Sequence, residues 1–301
     1  DAVPDVRLSS ARALGTLSAG VGESETQVRG VVPWLLDAVT ADSSSMERSG
    51  AAQGISELCR ALGPNRTRSI FNQVMTAKGA RRIGAREGLL WVLSFLPTSI
   101  GDQFGEYINH ALPCVLEGLA DSEDSVREVA MRSGQVIVNT LGKTHTDSLL
   151  PALCEGLESP KWRIRQSSIL LLGDLLYLVG ETRALGIGSS MGDDGEATFG
   201  QNVTIRVLAK LRDHIGRQAT DEAMVGLYIL RCDVSLVVRQ SANQIWKSLV
   251  SSTPKTLIDL IDALVSKTMY SIVFVNESFT FCSSIIKGNS KLDSKIKRES
   301  M

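Results

Sequence analysis

Ser159-Pro160-Lys161-Trp162-Arg163-Ile164-Arg165-Gln166-Ser167-Ser168-Ile169-Leu170-Leu171-Leu172-Gly173-Asp174-Leu175-Leu176 decides the fold of this chain. Turn residues open it, and apolar residues then fill one side of a long helical run. Its arginine, Arg165, recurs with nearly the same neighbours. Arg7, Arg48, Arg86 and Arg127 precede it at intervals of 38 to 41 residues, and Arg239 follows after 74, which equals two periods of 37. Three places after each arginine stands Ser10, Ala51, Leu89, Ala130, Ser168 or Ala242; ten places after stands Leu17, Leu58, Leu96, Ile137, Leu175 or Leu249. A period near 40 without strand signals predicts an all-α solenoid, a stack of helical hairpins each burying one face on the next.

The units work outward from that register, and their length is that of HEAT and armadillo arrays. Unit two reads Val32-Pro33-Trp34-Leu35-Leu36-Asp37, a turn Asp42-Ser43-Ser44-Ser45, then Met46-Glu47-Arg48. Unit four reads Leu112-Pro113-Cys114-Val115-Leu116, a turn Asp121-Ser122-Glu123-Asp124, then Val126-Arg127. Acidic and serine residues before each second helix suit N-caps and the positive end of the helix dipole. The prolines suit a bent or freshly started first helix. Unit one supplies a second helix over about 6–21; unit three has helices near 66–77 and 82–96; the last second helix spans 236–250. About seven units are expected over 1–268, interrupted by a glycine-rich loop at 180–201. One more first helix is expected after Pro254, and residues 269–301, β-branched and aromatic then basic, form an atypical tail. The chain opens at Asp1 in mid-repeat, so it is expected to be a piece of something longer.

Composition narrows function. Lys and Arg number 32 against 33 Asp and Glu, so no global field draws the chain to nucleic acid or anionic lipid, and any such contact must be local. No apolar run of 18 residues and no leader pattern occurs, and the expectation is a cytoplasmic protein without a membrane partner. The five cysteines, Cys59, Cys114, Cys154, Cys232 and Cys282, have no C-x-x-C spacing and read as reduced thiols.

Catalytic and cofactor motifs are not assembled. His110, His145 and His214 lack metal-ligand spacing, so no metal is expected. Gly142-Lys143-Thr144 copies the end of a phosphate loop, but Ile137 stands where its first glycine belongs. The run from Gly186 to Gly192 lacks dinucleotide register. No nucleophile, base and oxyanion set emerges, so the expectation is a non-enzyme without cofactor or small-molecule substrate. Asp5, Glu47, Asp124 and Asp233 closely precede four repeat arginines, which predicts intra-repeat charge pairs as their structural role. Basic residues outside the register, Arg81, Arg82, Lys161, Arg163, Arg206, Lys210, Arg212 and Arg217, are the candidate partner contacts. Arg206, Lys210 and Arg217 are expected to share one helical face toward phosphate.

Longer strings carry a resemblance: Pro4-Asp5-Val6-Arg7 with Ala13-Leu14-Gly15, Arg48-Ser49-Gly50-Ala51-Ala52-Gln53-Gly54, Trp162 to Ser168 with Leu171 to Leu176, and Gly226-Leu227-Tyr228 through Val237-Val238-Arg239-Gln240. In this order, over about 4–264, they resemble the general control non-derepressible family of HEAT-repeat stalled-ribosome sensors, in the part following its elongation-factor-three-like segment. The resemblance implies a scaffold that lies along stalled ribosomes. It would relay amino-acid starvation to the kinase of initiation factor two alpha, binding that kinase through other parts of the parent. The ribosome is thus the implied partner, and a generic HEAT adaptor, such as a transport receptor or phosphatase scaffold, is the alternative. Where the family is richer in arginine before Gly-Leu-Tyr, this chain has Gly216-Arg217-Gln218-Ala219-Thr220-Asp221-Glu222.

Overall fold

A computed structural model describes residues 3–21, 26–180 and 208–274, without the side chains of 21, 26–29 and 269–274. The described backbone is helical, with no strand. Two compact units divide it, residues 1–251 and 252–301.

In the first unit, α1 (Pro4–Val21) takes the place of a second helix, packed on α3. Hairpins follow: α2 (Thr26–Thr40) with α3 (Ser45–Leu62), α4 (Pro64–Met75) with α5 (Ile83–Ile100), α6 (Ile108–Gly118) with α7 (Asp124–Leu141), and α8 (Thr146–Leu157) with α9 (Trp162–Val179). Helical residues 208–215 form α10, and α11 (Arg217–Ile229) pairs with α12 (Leu236–Leu249). The second helices pack in one succession, α1 on α3, α3 on α5, α5 on α7, α7 on α9 and α9 on α12. The residues ten places after the repeat arginines make that core: Leu58, Leu96, Ile137, Leu175 and Leu249 are buried, whereas Leu17, on α1, is 67% exposed.

Local chemistry sets the boundaries. The Ser44 hydroxyl accepts the Glu47 N–H while the Glu47 carboxylate accepts the Ser44 N–H, a capping box starting α3 and contributing about 1 kcal/mol. Pro33, Pro113 and Pro151 lie inside first helices, as expected. Small residues let the layers close. At Gly88 of α5 an added Cβ would stand 2.0 Å from the Val39 carbonyl oxygen of α2.

The structure departs from the period in one place. Because α12 packs directly on α9, no further second helix stands between them in the stack among the described residues, although their arginines are 74 residues apart. An insertion within one repeat lengthens the chain as much as an extra repeat does, and sequence spacing cannot separate the two. The loop expected at 180–201 lies, from residue 181, outside the described residues.

In the second unit the single helix expected after Pro254 is two, α13 (Thr253–Asp259) and α14 (Ile261–Phe274), parted at Leu260. Residues 269–274 of the expected tail continue α14, and the rest of that tail lies outside the described residues. No described helix is long and apolar enough to cross a membrane.

Candidate interaction edge

The turns joining first to second helices are built around the repeat arginines. In each, Nη1 donates to backbone carbonyls of the turn just before its own helix. Arg86 reaches Ala80 and Arg81, both at 2.9 Å; Arg165 reaches Ser159 at 2.8 Å and Pro160 at 3.1 Å; Arg239 reaches Asp233 at 2.6 Å and Val234 at 3.1 Å. Arg127 does the same with Asp121 and Ser122, and Arg48 with Ala41 and Ser43. These carbonyls precede a helix and have no ladder partner, so the guanidinium supplies the donor that the helix cannot.

The remaining guanidinium edge bridges repeats. Arg86 donates Nε and Nη2 to the Asp121 carboxylate at 2.7 and 3.0 Å, and Arg165 grips Asp233 at 2.7 and 2.9 Å. Arg48 Nη2 meets Glu87 at 2.7 Å. The charge pairs expected within a repeat are therefore mostly pairs between repeats, with Arg127 and Asp124 the intra-repeat case. Geometry explains the difference. The carboxylate six residues before the next repeat's arginine, Asp121 or Asp233, lies beside the preceding repeat's free guanidinium edge, and its own turn holds it. Asp121 accepts the Glu123 N–H at 3.0 Å and Asp233 the Ser235 N–H at 2.7 Å. In front of Arg165 that position is Ser159, which accepts the Lys161 N–H at 3.3 Å and offers Arg127 no charge.

Two of these carboxylates titrate low. Burial works to raise the Glu87 pKa, but hydrogen bonds from Ser45, Trp91 and Arg48 outweigh it. Burial likewise opposes ionisation of Asp121, and hydrogen bonds from Arg86 and the Glu123 backbone hold its carboxyl below the usual range. Glu87, Asp121, Asp221 and the cation Arg132 were not legible as functional residues. Three find partners on other segments, and Arg132, over the faces of Trp91 and Phe95 at 5.3 and 5.9 Å, belongs to no sequence cluster.

The candidate contacts divide. Arg81 and Arg82 are exposed in the α4–α5 turn, and Lys161 and Arg163 are exposed around the start of α9. Arg163 stacks 4.7 Å over the Trp162 ring. Arg212 is half-buried and bonded to Asp221 at 2.9 Å, and Arg217 shares the same carboxylate at 3.4 Å, so both neutralise a buried acid. The helical face expected for Arg206, Lys210 and Arg217 is not formed. Gly216, at φ 82°, ends α10 after exposed Lys210 and starts α11 at Arg217, and Arg206 lies outside the described residues. Elsewhere Arg68 pairs with Glu106, both exposed.

Nothing described assembles a reaction centre. No group of three or more His, Cys, Asp or Glu among the described residues can hold a metal. Gly142 closes α7 as an ordinary helix end, with its N–H on the Val138 carbonyl. His214 lies 3.3 Å from the Thr146 hydroxyl and 3.1 Å from the Lys143 carbonyl, a contact between α10 and the start of α8. Burial pushes the Cys59 thiol up to about 12, partly countered by Thr67, so it is no nucleophile. A groove of about 520 Å³ between α1, α2 and α3 is lined chiefly by Leu14, Trp34, Leu35, Met46 and the small residues Gly50 and Gly54.

Stacked helical hairpins repeating about every 40 residues are the fold of HEAT and armadillo arrays, and the family described as EF3 N-terminal HEAT repeat matches residues 48–182. That likeness to elongation factor three falls inside the chain, whereas the strings above set the chain after the segment that carries it. Within the class, the chain is related to the GCN1 proteins. It is 39% identical over 272 residues to the eIF-2-alpha kinase activator GCN1 of Dictyostelium discoideum, covering 90% of this chain and 10% of that protein. It is 36% identical over 267 residues to the stalled ribosome sensor GCN1 of Homo sapiens, covering 88% and 10%. Protein ILITYHIA of Arabidopsis thaliana is 40% identical over 274 residues, covering 90% and 10%. The chain thus spans about a tenth of the length of these relatives. Among solved structures, a crescerin TOG domain superposes with a TM-score of 0.52 at 15% identity, over 81% of this chain and 88% of that one, a likeness of fold alone.

Proposed function

We propose that this chain is a non-catalytic HEAT scaffold segment of a cytoplasmic, ribosome-associated translational regulator. That regulator promotes activation of the kinase that phosphorylates initiation factor two alpha during amino-acid starvation or ribosome stalling. The observation that carries this reading is 36 to 39% identity, over nearly nine-tenths of the chain, to proteins named stalled ribosome sensor and eIF-2-alpha kinase activator. The geometry is consistent with it. The repeat arginines are engaged in holding the stack, and the exposed cations Arg81, Arg82, Lys161, Arg163 and Lys210 are the proposed contacts toward a ribosome. Kinase engagement is assigned to other parts of the parent protein. The test is co-sedimentation of the chain with purified ribosomes across a salt series, against an unrelated HEAT array of equal size. Specific, salt-sensitive binding supports a contact in this segment. A folded chain that sediments no better than the control refutes it.

A further inference from the structure

The joint between the last two hairpins of the first unit carries side chains that the ladder does not use. Arg165, bonded at once to the Ser159 and Pro160 carbonyls and to Asp233, brings the turn before α9 beside the turn before α12. On the first turn Trp162 is 38% exposed, with Arg163 stacked on it and Lys161 exposed beside it. On the second, Val234 is 88%, Leu236 57% and Val237 40% exposed. Single exposed apolar residues need no explanation, but four at one rigid joint do.

We propose that turns 159–163 and 233–237 together form a docking surface for a protein segment carrying carboxylates beside large apolar side chains. The proposal rests on the ribosome reading only for the source of that segment. Charge is one argument. Neither Lys161 nor Arg163 has a carboxylate partner among the described residues, and each lies next to apolar surface where a partner's carboxylate would be partly desolvated. Nucleic acid fits worse, for two reasons. The edge alternates in sign, because the basic turns at 81–82 and 161–163 are separated by Glu123 and Asp124, the latter 85% exposed, so a phosphate backbone following the edge would meet carboxylates. The Arg163 guanidinium also occupies one face of the Trp162 ring on which a base would otherwise stack. What remains open, aliphatic knobs flanked by cations, is the makeup of a protein interface with a small apolar centre.

The test uses the whole chain and two probes, a fluorescein-labelled synthetic peptide alternating aspartate with leucine and phenylalanine, and a short oligouridylate. Val234→Ser with Leu236→Ser, both at exposed positions, should weaken peptide binding about tenfold or more while leaving the thermal melt unchanged. Lys161→Ala with Arg163→Ala should weaken it comparably and flatten its salt dependence, and oligouridylate should not compete. Displacement by oligouridylate, peptide affinity indifferent to both pairs of substitutions, or no peptide binding overturns the proposal. Ribosome sedimentation run in parallel separates it from the broader reading. Peptide binding by a chain that does not sediment keeps the surface and removes the ribosome as its source. Parallel loss of both binding activities in the serine pair places the recognised segment on the ribosome.

Discussion

Replacing Arg48 by alanine tests the ladder at its most buried rung. The Arg48 and Glu87 side chains are 9% and 2% exposed, and their 2.7 Å contact joins α3 to α5. Removing the guanidinium leaves two turn carbonyls, of Ala41 and Ser43, without that donor. It also leaves a carboxylate held only by Ser45 and by Trp91 at 3.0 Å. Stranding one member of a buried pair typically costs about 3 to 5 kcal/mol, which is the expected loss at pH 7. Replacing both, Arg48→Met with Glu87→Leu, removes the charge from the interior and should cost well under the sum of the single changes. Acid supplies an independent sign. In the native chain Glu87 titrates low, so its contribution is complete above the unfolded value of about 4.3 and is lost as pH falls through the folded one. In the Arg48→Ala variant burial faces only two neutral donors and raises the folded value. The penalty is then full above that value and relieved as pH falls toward the unfolded one. Urea unfolding of both proteins, followed by helical circular dichroism at pH 7 and pH 4, should show a gap that narrows in acid. A gap under about 1 kcal/mol at pH 7, or one independent of pH, would refute the reasoning.

Other consequences are simpler to read. Gly88→Ala forces a Cβ against the Val39 carbonyl and should destabilise by about 2 kcal/mol or more despite better helix propensity, whereas Gly20→Ala, with nothing within 4 Å, should stabilise by a few tenths to about 1 kcal/mol; thermal melts of the two variants give the comparison. Peptide mapping after iodoacetamide treatment at pH 8 should find exposed Cys232 alkylated and buried Cys59 protected until urea is added. Ribosome sedimentation should become less salt-sensitive when Lys161 and Arg163 are both replaced and stay as salt-sensitive when Arg212, engaged with Asp221, is replaced alone.

The repeating architecture was legible because it is local. A helix-pair period, a turn rich in acid and serine, and an apolar residue ten places after each arginine are all written within 40 residues. What the arginines do was not, because Arg86 finds Asp121 35 positions away and Arg165 finds Asp233 at 68, whereas Glu87, the carboxylate next to Arg86 in sequence, bonds Arg48 instead. The same limit produced the face assigned to Lys210 and Arg217. Their spacing suits one helix, and a single glycine with positive φ turns the chain between them. Exposed Lys161 and Arg163 stood out by residue type, but the apolar knobs across from them are placed by tertiary contact alone.

The ladder also states a rule that the sequence can be edited to test. Where the residue six before a repeat arginine is Asp121 or Asp233, the preceding repeat's guanidinium bridges to it; where it is Ser159, Arg127 turns back to Asp124 instead. Ser159 already makes the turn contact that the two aspartates make, accepting an N–H two residues on. Ser159→Asp should therefore keep the turn and give Arg127 a second carboxylate across the α7–α9 interface. Arg127 is 22% exposed, so solvent screens the new pair and the expected gain is about 0.5 to 1 kcal/mol, smaller than a buried rung would yield. A double-mutant cycle with Arg127→Ala isolates the term, since the gain must vanish without the guanidinium. A gain that survives in the Arg127→Ala background would belong to the turn alone. No gain in either background would mean that the missing carboxylate is not what turns Arg127 back into its own repeat.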